Sequence, residues 1–380
     1  MKFKVDTRRI CEALSACESL SSKCASQNIK NPILLQAPGE GGICLIATDS
    51  ENFLRITINA KVYETGEARL PLEELQAILS LCSDNSLFIQ IENGQLYLTS
   101  GTCKFEIPAM LIEDFPKMDF KEPEGMAVVF VPGELHRYLR LTQYARIRET
   151  EEPWKKPLMG TSLERTGKRL CFASSDTKRV AWVYATVVDD AGISQSILSQ
   201  MFVNNVLKLI PEDQEIKLSI YENTVLVSCE THQLKGKLVE GKYPIWQTQI
   251  RKMGNTVVFD RQTLLSSFKA VSIVDEHVKL KIEDGICVIS PVCESEGSVK
   301  SIWPLPGNPP YVEVNFIASN IIEGLGSMDS DEVELGYNND IDGISHVMFK
   351  MVGVKVSNFF YVVMPLIFGK KGKRCRGKNV

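Results

Sequence analysis

One short pattern occurs three times in this chain and limits what it can fold into. It reads Phe3-Lys4-Val5-Asp6 followed by residues 7–20, Val128-Val129-Phe130-Val131-Pro132 followed by residues 133–145, and Val257-Val258-Phe259-Asp260 followed by residues 261–273. Each copy is a β-rich stretch, a junction residue, and then apolar positions at helical spacing, as in Leu135 and Leu139. The junction suits a helix start: Asp accepts hydrogen bonds from unpaired N–H groups, and Pro has no N–H to leave unpaired. The junctions stand at 6, 132 and 260, spacings of 126 and 128 residues. A repeat of that size implies three domains of one design.

The length of 380 residues gives each such domain enough chain for its own core. With 44% hydrophobic and 24% charged residues, the composition is that of an ordinary soluble globular protein. Residues 1–9 are charged and lack an apolar leader core, and the longest apolar run, residues 359–368, is too short to span a bilayer. A cytoplasmic location without membrane contact is the expectation. The eleven cysteines are scattered with no C-x-x-C pair, and the four histidines, at 136, 232, 277 and 346, lack zinc-ligand spacing. Reduced, mostly buried thiols are expected, with no metal and no cofactor. The net charge is -4, but residues 370–380 hold six Lys and Arg and no acid. The overall field is therefore repulsive to nucleic acid, which could be met only on a local basic surface.

The order within each repeat is similar. The first has strand patterns at Ile33–Gln36, Ile43–Thr48 and Phe53–Ile58, a helix at Leu72–Leu81 with Glu73 and Glu74 in its first turn, and a meander through the Asn93-Gly94 turn. The second has strands near 161–164, 170–174 and 181–187, a helix from about Ser196 to Leu209, and a meander over 216–238. The third has strands near 278–282 and 286–290, a helix near Ala318–Leu325, and strands at 333–336, 347–352 and 359–364. The fold class expected is α+β, with two helices and antiparallel sheets per domain. The boundaries are 1–122, 123–250 and 251–368, with a basic tail at 369–380. On the helix of the second repeat, Arg137, Arg140 and Tyr144 share one face, with His136 and Gln143 beside them, opposite Leu135 and Leu139. Taken alone, that is an ordinary solvated face.

Several ordered motifs now bear on the family: the opening Met-Lys-Phe, Thr48-Asp49, Asp114-Phe115-Pro116, Thr142-Gln143-Tyr144, Ser175-Asp176-x-x-Arg179, Lys237-Leu238-Val239-x-Gly241-x-Tyr243-Pro244 and Tyr361-Val362-Val363-Met364-Pro365. In this order and spacing, over residues 1 to 366, the chain resembles the bacterial DNA sliding clamps, the beta subunits of DNA polymerase III. The resemblance implies a head-to-tail homodimer closed into a ring, with helices lining a hole threaded by double-stranded DNA. It implies a processivity factor that tethers the polymerase III catalytic subunit, the clamp loader and other replication and repair proteins.

Carried over residue by residue, the resemblance assigns three surfaces. Lys23, Arg137, Arg140, Gln143, Lys155, Lys208 and Arg261 would face DNA, in loose contacts that permit sliding. Leu158, Ser175, Thr177, Lys178, Arg179, Val180, Pro244, Ile344, Val362, Val363, Met364, Pro365 and Leu366 would form a hydrophobic pocket for partner peptides. Lys104, Phe105 and Ile107 would meet Ile273, Val274, Glu294 and Glu296 across the dimer. The chain departs from the family where Thr177 and Lys178 replace the usual Gly and His, and where Leu366 replaces a Met. It also runs on into the basic tail, which is expected to be a solvated extension.

Asp49 and Asp176 recur at equivalent strand ends, as metal-dependent hydrolysis would need. Each stands alone beside Ser or Thr, which is turn chemistry, and no catalytic pairing accompanies either. A non-catalytic protein is therefore expected. The alternative function is a clamp-like interaction scaffold, or a second-copy clamp with altered partners.

Overall fold

The computed structural model describes residues 1–21, 32–39, 41–101, 103–109, 115–116, 118–121, 127–187, 195–247, 252–293, 299–338, 346–353 and 358–366. The first repeat contains β1 (Lys2–Asp6), α1 (Thr7–Ser21), β2 (Pro32–Gly39), β3 (Gly42–Thr48), β4 (Asn52–Ile58), β5 (Ala60–Glu64), β6 (Gly66–Pro71), α2 (Leu72–Leu79), β7 (Ser86–Glu92), β8 (Gln95–Ser100) and β9 (Cys103–Pro108). The second contains β10 (Ala127–Phe130), α3 (Glu134–Gln143), β11 (Thr161–Thr166), β12 (Arg169–Ser175), β13 (Arg179–Thr186), β14 (Gln195–Leu198), α4 (Gln200–Leu209), β15 (Ile216–Tyr221), β16 (Thr224–Ser228) and β17 (His232–Lys237). The third contains β18 (Asn255–Asp260), α5 (Arg261–Ser272), β19 (His277–Glu283), β20 (Ile286–Pro291), β21 (Ser301–Pro304), β22 (Val312–Ile317), α6 (Ala318–Ser327), β23 (Glu332–Tyr337), β24 (Val347–Val352) and β25 (Phe359–Val363).

The two aspartate junctions act as anticipated, whereas the helix of the second repeat, α3, starts at Glu134, two residues past Pro132, with Gly133 at φ 82° between them. Asp260 Oδ1 accepts from Thr263 N at 2.7 Å to cap α5, and Asp6 Oδ1 accepts from Arg9 N at 3.0 Å at the start of α1. Asn93 and Gly94 both take positive φ, 53° and 75°, which closes the β7–β8 hairpin with the twist its strands need.

The chain divides into two compact units, one of residues 1–136, 187–193 and 201–238, the other of 137–186, 194–200 and 239–380. In the first unit, a five-stranded sheet runs β5-β1-β7-β8-β9, and an eight-stranded sheet runs β10-β15-β16-β17-β4-β3-β2-β6. In the second unit, an eight-stranded sheet runs β14-β11-β12-β13-β25-β24-β23-β18, beside a four-stranded sheet β21-β20-β19-β22. Each eight-stranded sheet is spliced from two repeats, by antiparallel pairing of β17 with β4 in one case and of β13 with β25 in the other. Alternation decides what is buried: Phe3, Val5, Leu87, Ile89, Leu96 and Leu98 fill the inner face of the five-stranded sheet.

Three readings change. The helix expected from Ser196 begins at Gln200, because residues 195–198 pair with β11 as β14, a partner that local periodicity cannot reveal. β5, β6, β21 and β22 were not anticipated: β5 completes the edge beside β1, β6 pairs with β2, β21 pairs with β20 and β22 with β19. His136 is buried, its Nε2 3.0 Å from the Ile210 carbonyl, so it does not share an exposed face with Arg140.

Candidate functional site

The turn between β12 and β13 in the second unit builds the most specific feature. Asp176 Oδ1 accepts from Lys178 N at 2.9 Å and Arg179 N at 3.0 Å, while Ser175 Oγ donates to the Arg179 carbonyl at 2.8 Å. Thr177 sits at φ 77°, a left-handed conformation costly for a β-branched residue and held here by its N–H donating to Ser175 Oγ at 3.2 Å. Ser175 N in turn donates to Tyr243 Oη at 2.9 Å, fixing the turn to the segment that follows β17.

Arg179 is 7% exposed and is held on several sides. Its Nε donates to Asp176 Oδ2 at 2.9 Å and its Nη2 to the Tyr144 carbonyl at 3.1 Å. Its Nη1 lies 2.7 Å from Glu323 Oε2, an ion pair not aligned as a hydrogen bond. Burial disfavours the guanidinium charge, yet Tyr361 and Asp176 beside it raise its pKa above an already high value. Arg179 is thus a fixed, charged strut.

β25 runs beside this turn, with Arg179 opposite Val363 and Val180 opposite Val362. The ladder continues one step further, Met364 N donating to the Lys178 carbonyl at 2.8 Å. Ser175, Thr177, Lys178, Arg179, Val180, His346, Val362 and Met364 line a shallow depression of about 20 Å³, open to solvent. This lies far below the range of cavities that enclose a small molecule, so the feature is a surface recess and not a closed pocket. Beneath lies a packed cluster that includes Leu158, Val180, Trp182, Ile197, Tyr243, Trp246 and Val362.

Of the residues predicted for this pocket, Ser175, Thr177, Lys178, Arg179, Val180, Val362 and Met364 line the depression, and Leu158 supports it from the core. Val363 does not line it, since strand alternation turns it to the other face, where it is 1% exposed. Pro244, Pro365 and Leu366 are half-buried and outside the lining; Leu366 N donates to the Asn315 carbonyl at 2.8 Å. Ile344 lies outside the described residues. His346 was missed, because only the β24–β25 pairing brings its end of the strand to Met364.

The residues predicted to face DNA differ in how far they are committed to the fold. Arg137 forms a two-bonded pair with Asp329, Nε to Oδ2 at 2.5 Å and Nη2 to Oδ1 at 3.1 Å. That pairing holds the Asp329 carboxyl below the usual carboxylate range. Arg261 donates to the carbonyls of Ser330 at 2.5 Å and Leu325 at 3.2 Å, satisfying acceptors at the end of α6. Gln143 accepts from Arg146 through both its carbonyl and its side chain, and Lys155 pairs with Glu152 and lies 4.9 Å from the Trp154 ring centroid. Arg140 and Lys208 are exposed. Lys23 lies outside the described residues.

For the predicted dimer contacts, Ile273 is 86% exposed and Val274 45%. Ile107 is buried opposite Leu96 within its own sheet, Phe105 is half-buried opposite Leu98, and Lys104 is exposed. Glu294, Glu296 and the basic tail lie outside the described residues. The two recurring aspartates are turn acceptors: Asp49 Oδ1 takes Glu51 N at 3.0 Å and Asn52 N at 2.6 Å, as Asp176 does in its own turn. No helix among the described residues is long and apolar enough to cross a membrane.

Comparison with known proteins bears on the whole chain. The family described as DNA polymerase III beta subunit, N-terminal domain, matches residues 1–119. The beta sliding clamp of Chlamydia pneumoniae is 23% identical over 350 residues, covering 89% of this chain and 93% of that protein. The beta sliding clamp of Pseudomonas aeruginosa is 22% identical, covering 88% and 92%. Among solved structures, the Helicobacter pylori beta clamp bound to a DNA ligase peptide superposes with a TM-score of 0.85 at 17% identity, over 97% of this chain and all of that one. The Bacillus subtilis DNA polymerase sliding clamp gives 0.85 at 16% identity over the same shares. The fold is that of these clamps, and along most of its length the sequence is similar to the beta sliding clamps, with residues 1–119 matching the DNA polymerase III beta subunit family.

Proposed function

We propose that this chain is a DNA polymerase processivity factor, a non-catalytic cytoplasmic subunit that closes into a ring with a second copy and slides on duplex DNA. In this reading the domains are residues 1–122, 123–250 and 251–368. Exposed Arg140 and Lys208 make the exchangeable phosphate contacts, while Arg137 and Arg261 mainly hold elements in place. The edge strands β9 and β21 and the exposed Ile273 and Val274 are the surfaces a second chain would cover.

The observation that carries the tethering role is the splice of β13 onto β25. It sets apolar Val180, Val362 and Met364 beside the fixed turn at residues 175–179. A polymerase or loader peptide would lay an apolar anchor against the exposed Met364 at this recess, its main chain running near Arg179 and Lys178. The alternative, an interaction scaffold that never encircles DNA, shares this pocket and differs only in topology. After loading, retention on nicked circular DNA with loss on linearisation, together with a native mass of two chains, is the expected result. Equal retention on both DNAs, or a single-chain mass, overturns the ring.

A further inference from the structure

The five-stranded sheet of the first unit turns its outer face, the one opposite its packed side, to solvent. Along one row of that face, cross-strand pairing places Lys61 opposite Lys4, Lys4 opposite Phe88, and Phe88 opposite Thr99. In the next row, Gln90 stands opposite Tyr97. Phe88 is 37% exposed, Tyr97 40% and Tyr63 51%, and the Tyr63 and Phe88 rings lie 6.0 Å apart. Three aromatic faces thus share one surface with two lysines.

The lysines are the unusual part. Two like charges directly opposite on neighbouring strands destabilise a sheet. Neither Lys4 nor Lys61 has an ion pair among the described residues, Lys61 making only a contact 5.3 Å over the Tyr63 ring. The acids nearby are engaged or peripheral. Glu64 is held by Lys2 at 2.9 Å, Glu92 accepts from Gln90, and Glu106 on the edge strand β9 stands opposite Tyr97 in the second row, away from the Lys4–Lys61 pair. The repeat does not demand this composition: the outward position held by Lys4 opposite Phe88 is Val129 opposite Lys217 in the second repeat and Val258 opposite Glu334 in the third.

We propose that this outer sheet face is a binding site for single-stranded nucleic acid, Phe88, Tyr97 and Tyr63 stacking bases while Lys4 and Lys61 meet the phosphates. Every base has a π-face, so such a surface accepts a strand without reading its sequence. A duplex hides its base faces and cannot use the aromatics, which separates this site from the helices proposed to surround duplex DNA. The lysine pair also becomes intelligible, since a bound phosphate relieves the repulsion between its members.

The test is fluorescence anisotropy of labelled dT15 with the full chain in low salt. Binding is expected to exceed that of a 15-base-pair duplex, and to fall with salt with a logarithmic slope of about -1.4 for two phosphate contacts. Y97A and F88A should each weaken it about tenfold, and the double variant K4E/K61E should remove it, while retention of the loaded protein on circular DNA is unchanged in all three. Absence of dT15 binding overturns the proposal, as does binding indifferent to both Y97A and K4E/K61E. Displacement of dT15 by poly-L-glutamate at equal charge concentration also overturns it, in favour of an acidic protein partner. Loss of circular-DNA retention in the wild-type chain would refute the ring and leave this site standing.

Discussion

The same turn is built twice in this molecule, and the two copies are surrounded by different residues. In the first unit, residues 48–52 repeat the hydrogen bonds of residues 175–179: Thr48 Oγ1 donates to the Asn52 carbonyl at 2.8 Å, Asp49 caps the turn, and Ser50 takes φ 78° where Thr177 takes 77°. Both turns also open onto a splice between repeats. Asn52 pairs with Gly236 of β17, as Arg179 pairs with Val363 of β25. The difference lies in the neighbouring residues. Lys235, whose Nζ donates to the Asp119 carbonyl at 2.8 Å, occupies the place of Val362, and Lys237 that of Met364. At Gly236 an added Cβ would sit 2.5 Å from Phe202 and 2.6 Å from Asn52 Oδ1, so packing leaves no room for a side chain at that position. The backbone device is shared, and in the function proposed above peptide recognition would use the copy at residues 175–179.

The comparison can be broken most strongly at Arg179. Arg179→Ala leaves Asp176 and Glu323 without their buried partner and is expected to destabilise the protein by about 3–5 kcal/mol. Asn52→Ala, at the matching site, should cost about 1–2 kcal/mol. Chemical denaturation of both variants checks the ordering, and equal losses would show that Arg179 is no strut.

Acid should next distinguish the two units. Burial lowers the His232 pKa to about 4, so the folded first unit favours the neutral ring. A folded-state pKa below the unfolded value of about 6.5 gives stability that is full above pH 6.5 and lost as pH falls toward 4, about 2–3 kcal/mol in all. Unfolding midpoints measured across that window should decline, and His232→Gln should flatten the decline. An unchanged slope in the variant would assign the acid sensitivity elsewhere.

The smallest expected effect sharpens the functional contrast. Met364→Lys gives the second splice the residue of the first at a position 45% exposed. It should reduce affinity for an apolar-anchored partner peptide by about tenfold with little change in unfolding midpoint. Calorimetric titration with such a peptide measures it, and undiminished affinity would remove Met364 from the pocket.

Much of this was legible from residues alone, for identifiable reasons. The helix junctions at Asp6 and Asp260 carry their capping chemistry locally, and Asn93-Gly94 carries its own turn. What escaped depends on partners far along the chain. Arg137 reads as a solvated helix residue until Asp329 is brought to it, Arg261 until the end of α6 meets it, and residues 195–198 as helix until β11 claims them. His346 and the inward turn of Val363 follow from strand register, which no single segment states.

Both splices, β4 to β17 and β13 to β25, lie inside one polypeptide. In the ring proposed above, parting two copies would therefore tear none of these ladders, and each chain would keep its own sheets intact. Assembly and folding would then be separate equilibria, and opening the proposed ring would cost only its interface.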